Sequence, residues 1–398
     1  MKVGFIAWER FSYGGVSRII SSLVNELSKD IDIEILCLKS EKSFENVYNI
    51  DTNKIKFSFT ELTTIQKIRR EIANKLLEKI NITSNNFLLK NFPYIKYANS
   101  YLKKIVKWIN SNHFDIVVFA SGFEDCIQLA AIKDSIKKDI KLIAWSHASF
   151  KDYFRSDYKI RSNNQQKLWQ YYYKNFDSII VLSDADVFEC KKYLGLNAIR
   201  IYNANSFSPN TRTKLNNKSF VYVGSLSETK GTDILIDAFV KFAEKNNDWN
   251  LNIYGEGKIR EYIEAQINKH NLNSRVKLHN YTTDVESVYL NNDIFILPSR
   301  FEGFGIVQIE AISYGLPIIA SELAITKELI SKYNYGKIFK YGDPDSLSEI
   351  MLWMINQNLI TYSVNGHKAA KDFEISNISK EWLLMLNNTR KINYEQNS

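Results

Sequence analysis

The stretch from Ile294 to Ser321, IFILPSRFEGFGIVQIEAISYGLPIIAS, permits few architectures. Its first four residues, Ile294-Phe295-Ile296-Leu297, form an apolar run with the length and composition of a strand buried on both faces. A turn follows, Pro298-Ser299-Arg300-Phe301-Glu302-Gly303-Phe304-Gly305. A short apolar helix is expected from Ile306 to Tyr314, stopped by Gly315 and Pro317, and then a second apolar run, Ile318-Ile319-Ala320. Strand, glycine turn, helix and strand make one unit of a parallel sheet. A chain that repeats such units is an α/β protein whose ligands bind beyond the carboxyl ends of the strands.

Two carboxylates in this unit need an account. Glu302 lies in the turn, at the mouth of the expected crevice. Glu310 lies on the helix among Val307, Ile309, Ala311 and Ile312, where a carboxylate is costly to bury without hydrogen-bond donors. One reading makes each a structural residue tied to a neighbouring backbone or arginine. The other starts from Gly303 and Gly305, which let backbone approach a ligand, and from the first amides of the helix at Phe304, Gly305 and Ile306, which suit a phosphate. Phosphate donors flanked by two acceptor carboxylates fit a phosphorylated, hydroxyl-rich ligand.

Glu302, seven residues, then Glu310, with EGFG at the first Glu and a G-x-P after the second, resembles the donor-site signature of retaining nucleotide-sugar glycosyltransferases of the GT-B fold, the family 4 or group 1 type. The resemblance implies α/β architecture with two doubly wound Rossmann-like domains facing across a cleft. The rest of the chain is compatible. Strands are expected at Lys2–Ala7, Ile31–Leu38, Asp115–Ala120, Lys141–Trp145 and Asp177–Leu182, alternating with helices. The segment NANSFSPNTRTKLNNK is nearly free of apolar residues and reads as a linker, 204–218. It divides an acceptor-binding domain, 1–203, from a nucleotide-sugar domain, 219–375, with strands at Phe220–Val223, Leu251–Tyr254 and Val276–Leu278. The last helix, 376–398, is expected to cross back to the first domain, as it does in the family.

The resemblance also assigns roles. Gly14-Gly15, after the first strand, would lie near the diphosphate and acceptor, with Arg18 as a nearby charge; read alone, the pair is a structural turn. His147, just past a strand's end, would face the donor sugar and count with Lys230 and Glu302 among the catalytic residues. Lys230, before Gly231, would bind the diphosphate. The family has Gly-Arg where this chain has Gly224-Ser225, so the donor site includes Ser225 without its usual charge. Either another arginine, such as Arg300, compensates, or the phosphate site is weaker. Tyr281 would stack on the base or else serve as a core tyrosine. Glu302 would hold sugar hydroxyls and Glu310 the ribose.

Bulk properties narrow the class. The chain of 398 residues is too long for one ordinary core. Its 45% apolar and 24% charged content is globular. No apolar run approaches the ~20 residues of a membrane helix. The opening MKVGFIAWER turns charged too soon for a signal peptide and reads as a strand. Cys37, Cys126 and Cys190 are widely spaced and odd in number, which suggests a reducing compartment and no disulfide framework. No cluster has metal-ligand spacing. Asp184-Ala185-Asp186 leads into an amphipathic helix, so no metal or other cofactor is expected beyond the nucleotide sugar as co-substrate.

The formal net charge of +8 is concentrated. Between Gln66 and Lys107 lie ten basic residues and two acidic ones, and basic and acidic residues balance elsewhere. Ile65, Ile68, Ile72 and Leu76 repeat at helical spacing in and beside this segment, as do Ile95, Ala98, Leu102, Ile105 and Ile109. Either those faces pack on the sheet and the lysines are solvated, or the segment lies on an anionic membrane surface. No nucleic-acid motif accompanies the patch. The expected function is a cytoplasmic, retaining, metal-independent hexosyl transfer from a nucleoside diphosphate sugar, UDP-linked by preference. Its acceptor is expected to be a glycan hydroxyl, carried by a lipid-linked intermediate of bacterial surface polysaccharide, at the inner face of the membrane. The alternative is a non-catalytic GT-B subunit that binds a partner or glycan. A dehydrogenase is disfavoured, because no dinucleotide fingerprint is present.

Overall fold

Short runs of Ile, Val, Leu and Phe that are buried on both faces require parallel sheets covered by helices, and the chain builds two. The computed structural model describes residues 1–7, 11–12, 14–79, 86–150 and 166–391. They divide into two units: Met1–Ala204 with the last helix, and Asn205–Glu374.

The first unit holds strands β1 (Lys2–Ala7), β2 (Asp32–Cys37), β3 (Lys56–Phe59), β4 (Ile116–Ser121), β5 (Lys141–Ser146), β6 (Ser178–Val181) and β7 (Ile199–Arg200). They form one parallel sheet in the order β3-β2-β1-β4-β5-β6-β7. Register is fixed centrally, with Phe5 opposite Ile35 on one side and Val118 on the other. The strand order reverses between β1 and β4, so the loops after these two strands frame a crevice. Helices α1 (Gly15–Leu27), α2 (Thr64–Lys79), α3 (Asn86–Tyr97), α4 (Asn99–Ser111), α5 (Phe123–Ala131), α6 (Gln166–Tyr173) and α7 (Asp184–Leu194) accompany the sheet. Two of the strands, β3 and β7, were not expected from the sequence. One carries alternating polar residues at a half-exposed edge and the other is two residues long, so neither leaves an apolar run.

The second unit has β8 (Ser219–Val223), β9 (Asn250–Tyr254), β10 (Val276–His279), β11 (Ile294–Leu297), β12 (Ile318–Ser321) and β13 (Gly336–Phe339), ordered β10-β9-β8-β11-β12-β13, all parallel. Its switch point lies between β8 and β11. The helices are α8 (Thr232–Ala243), α9 (Arg260–Lys269), α10 (Val285–Leu290), α11 (Ile306–Ser313), α12 (Ala324–Tyr333), α13 (Pro344–Met354) and α14 (Leu359–Ala370). Its core gathers Phe220, Leu251, Ile253, Ile294 and Ile296 from the sheet with Leu235, Phe239 and Phe242 of α8.

The expected linker is fastened to this unit. The Asn205 amide donates to Phe373 O at 2.7 Å, and Thr213 donates from its amide to Tyr314 O at 2.9 Å and from its hydroxyl to Asn292 O at 2.7 Å. The amides of Asn217 and Lys218 both donate to Asp293 Oδ2. The polar residues that made 204–218 look solvated thus satisfy backbone groups at the base of the sheet. The last helix, α15 (Ile375–Lys391), belongs to the first unit. Its Trp382 packs edge-on against Trp145 at 4.7 Å and lies 6.5 Å from Phe5, and Arg390 pairs with Asp115 at 3.1 Å.

Candidate active site

The loops after β8 and β11 are adjacent because those strands are neighbours. The turn Glu228–Lys230 follows β8 and ends at Gly231, which is left-handed at φ 68°. A Cβ at Gly231 would overlap the carbonyl oxygen of Pro298, so only glycine lets the two loops close on each other. Their contact places Lys230 Nζ 2.7 Å from Glu302 Oε1, which also accepts from Ser299 Oγ at 2.8 Å. Glu302 is buried and Lys230 half-buried. The pair therefore lies at the mouth of the topological switch point.

Gly305 is also left-handed (φ 70°) and opens α11 with no side-chain cap, leaving its first amides unclaimed by such a cap. Phe304 is buried against Phe373, and its carbonyl accepts from Gln308 Nε2 at 2.9 Å. Gln308 is held in turn by Tyr335 Oη at 3.1 Å. Gly303 and Ile306 complete the turn and the helix start. One turn into α11, the buried Glu310 accepts from Tyr289 Oη at 3.1 Å.

Arg300, the arginine named as a substitute for the one absent at 225, is engaged within the loops. Its guanidinium makes a bidentate pair with Asp233 at 2.7 and 2.6 Å and donates to Glu228 O at 2.6 Å. Its amide donates to Thr229 O at 2.9 Å. It ties the Lys230 loop to the Glu302 loop. Ser225 is exposed, and its carbonyl accepts from Tyr222 Oη at 2.9 Å.

Tyr281 is 55% exposed and so is not a core tyrosine. Beside it stands a feature that sequence reasoning missed. Tyr254, at the end of β9, stacks on His279, at the end of β10, with centroids 4.1 Å apart and planes at 7°. The signal was available, since each is the last residue of an expected or neighbouring strand, but cross-strand register is not visible in one sequence.

The first unit holds the other expected residues. Gly14 and Gly15 are exposed at the start of α1, after β1, and the Gly14 amide donates to Tyr48 Oη at 2.9 Å. Arg18 follows in the same helix. His147 lies past β5, with β4 between its strand and β1. Its ring packs on Trp145 at 4.3 Å, neither ring nitrogen has a hydrogen-bond partner among the described residues, and burial pushes its pKa down to about 3. The imidazole is therefore neutral at physiological pH. Among the described residues nothing ties it as a satisfied structural histidine would be tied. Two surface recesses of about 600 and 410 Å³ flank β3 and α2 and contain none of these residues.

Asp184 and Asp186 have structural roles. Ser183 caps α7, and Asp186 accepts from Ser149 Oγ, the Phe150 amide and Ser183 Oγ, while Asp184 pairs with Arg200. Among the described residues no cluster of three potential metal ligands occurs.

Comparison with known proteins matches residues 13–204 to the Glycosyltransferase Family 4 model and residues 204–372 to the model Glycosyl transferases group 1. An uncharacterized glycosyltransferase of Haemophilus influenzae is 27% identical over 96% of this chain and 98% of its own length. A Campylobacter jejuni α-1,4-N-acetyl-D-galactosaminyltransferase, named for a diNAcBac-PP-undecaprenol-linked acceptor, is 24% identical over 97% and 98%. Among solved structures, Anabaena HepE in complex with UDP superposes with a TM-score of 0.73 at 18% identity, covering 98% of this chain and all of that one. The two matched models, the α/β units built around two parallel sheets and the EGFG turn at the second switch point together make this chain a glycosyltransferase of the GT-B fold, of the group 1 and family 4 type.

Proposed function

We propose that the protein moves a sugar from a UDP-sugar to a glycan hydroxyl with retention at the anomeric carbon and without a metal ion, and that the acceptor is a lipid-linked intermediate of bacterial surface polysaccharide. The observation that carries this reading is the Lys230–Glu302 pair beside the glycine-lined start of α11. A lysine and a helix start without a side-chain cap suit the diphosphate, whose negative charge grows as the C1–oxygen bond breaks. With serine at 225 and Arg300 engaged by Asp233, that charge falls on Lys230 and on the amides of Gly303 to Ile306.

Glu302 already accepts from a lysine and a serine, which suits an acceptor for sugar hydroxyls better than an attacking nucleophile. Glu310 is assigned to the ribose hydroxyls, with Tyr289 holding its carboxylate. His147, as a neutral imidazole, is assigned to the sugar. Ser225 and Tyr281 flank the phosphate and base sites, and Gly14 and Gly15 leave the backbone open near the acceptor. In the transfer the acceptor oxygen bonds to C1 on the face the diphosphate leaves, and its proton passes to the departing phosphate oxygen. No group of the chain need form a covalent intermediate. The UDP named in the HepE structure and the undecaprenol-linked acceptor named for the Campylobacter relative support donor and acceptor class.

The test is turnover with a panel of UDP- and GDP-sugars. Lys230→Ala and Glu310→Ala should each lower kcat/KM by about 10²-fold or more, the size of losing one preorganised charge-stabilising group, with the circular dichroism spectrum unchanged. UDP should raise the Tm of the wild type more than that of either variant. Wild-type turnover in both variants with every donor would overturn the assignment.

A further inference from the structure

The two readings of the basic segment separate helix by helix. α4 packs inward, with Tyr101, Leu102, Ile105 and Ile109 in the core, and Phe92 and Tyr97 of α3 join them. α2 does not follow. Its inward side carries Gln66, which donates to Ser100 Oγ at 3.0 Å, the buried Ala73, and Arg70, whose guanidinium meets Asp125 at 3.5 Å and lies over the Tyr97 ring at 5.2 Å. At about 100° per residue, Ile65, Ile68 and Ile72 fall together on the opposite side. They are 79%, 53% and 54% exposed. Exposed Arg69 stands beside this ridge and exposed Glu71 on its other flank; Lys67, farther round the helix, pairs with Glu61 at 3.0 Å, and α4 carries exposed Lys103, Lys104 and Lys107. The whole net positive charge of the chain is gathered on 66–107.

We infer that α2 is a docking element for an anionic membrane surface, with Ile65, Ile68 and Ile72 entering the headgroup boundary and Arg69 and the exposed lysines of α4 drawn to acidic headgroups. A helix with an exposed apolar ridge and an inward opposite face, in a segment of high net positive charge, lies on a bilayer and does not span it. Among the described residues no helix is long and apolar enough to cross a membrane. A second copy of the chain is the poorer occupant. A twofold contact would set this basic face against itself, and one three-residue ridge is small beside the ~800 Å² per partner of a stable interface. An anionic bilayer complements both the charge and the ridge. The inference deepens the lipid-linked acceptor reading and rests on it for its purpose, since an enzyme held at the bilayer meets such an acceptor in two dimensions. The membrane measurement itself uses no sugar.

The test is co-sedimentation of the full chain with phosphatidylcholine vesicles and with vesicles that also contain phosphatidylglycerol. The wild type should bind only the anionic vesicles and should be released by salt. Ile65→Glu/Ile68→Glu should bind them at least about tenfold less. Both positions are exposed, so the variant should keep the wild-type melting curve and the wild-type UDP-induced rise in Tm. Equal binding to both vesicle types, binding to neither, or wild-type binding by the variant would overturn the proposal. So would light scattering that finds a lipid-free wild-type dimer and a monomeric variant, which would give the ridge to a second copy. Loss of vesicle binding with transfer intact leaves the donor assignment standing, and the reverse outcome leaves the membrane site standing.

Discussion

His147 shows what one unpartnered side chain commits a protein to. Its pKa is depressed to about 3 by burial, against an ordinary value near 6.5. Between those values the unfolded chain holds a proton that the folded chain lacks, so stability falls as pH drops through that window and is unaffected above it. The expected slope from this group is roughly 1 kcal/mol per pH unit. Denaturant titrations at several pH values, on wild type and His147→Gln, would isolate it; equal slopes in the two proteins would show that the imidazole is not held neutral. Residues of this kind were only partly legible. Glu302, Glu310 and Lys230 stood out because their spacing matches a family, yet nothing in the sequence told that Arg300 would spend its guanidinium on Asp233 and Glu228. That partnership depends on two loops meeting, which requires the sheet order first.

At the level of elements, the site is built by close approach of loops. Gly231 faces Pro298, and Gly255 faces the carbonyl of Gly224 in the same tight manner. Gly231→Ala would impose both a left-handed alanine and an overlap with backbone, and should destabilise the second unit by about 1–3 kcal/mol. The more telling readout is a loss of transfer larger than the loss of Tm explains, because the loop that moves carries Lys230. Retention of full activity by Gly231→Ala would show that the two loops do not need their contact. The central strands were readable from the sequence because burial on both faces leaves unbroken apolar runs, as in Ile294–Leu297. β3 was not, since Lys56 and Ser58 interrupt its phenylalanines at a half-exposed edge. α2 and α4 looked alike as patterns. Only their packing distinguishes a ridge at Ile65, Ile68 and Ile72 from a core face at Leu102, Ile105 and Ile109.

For the whole molecule, the decisive feature is that the first unit is assembled from two distant parts of the chain. Trp382 is buried against Trp145 and near Phe5, Ser178 and Thr389 share a hydroxyl hydrogen bond at 3.0 Å, and Arg390 pairs with Asp115. Trp382→Ala should remove about 3–5 kcal/mol from that unit. Calorimetry should show one transition lowered and the other, belonging to Asn205–Glu374, left in place; an unmoved first transition would mean that α15 contributes no core. The division of the chain at the Asn-rich segment was foreseeable from composition, but its attachment to Asp293, Asn292 and Tyr314 was not, because polar residues in a turn look the same whether they bond water or backbone. The discontinuity also bears on the order of synthesis. The seven strands of the first sheet leave the ribosome early, but the tryptophan that closes their core follows only after the whole second unit. A nascent chain therefore carries an open apolar surface at Trp145 and Phe5 throughout translation of the second unit, and a prematurely terminated product keeps it open. α15 is thus the seal on the first unit's core, added only after the second unit has been made.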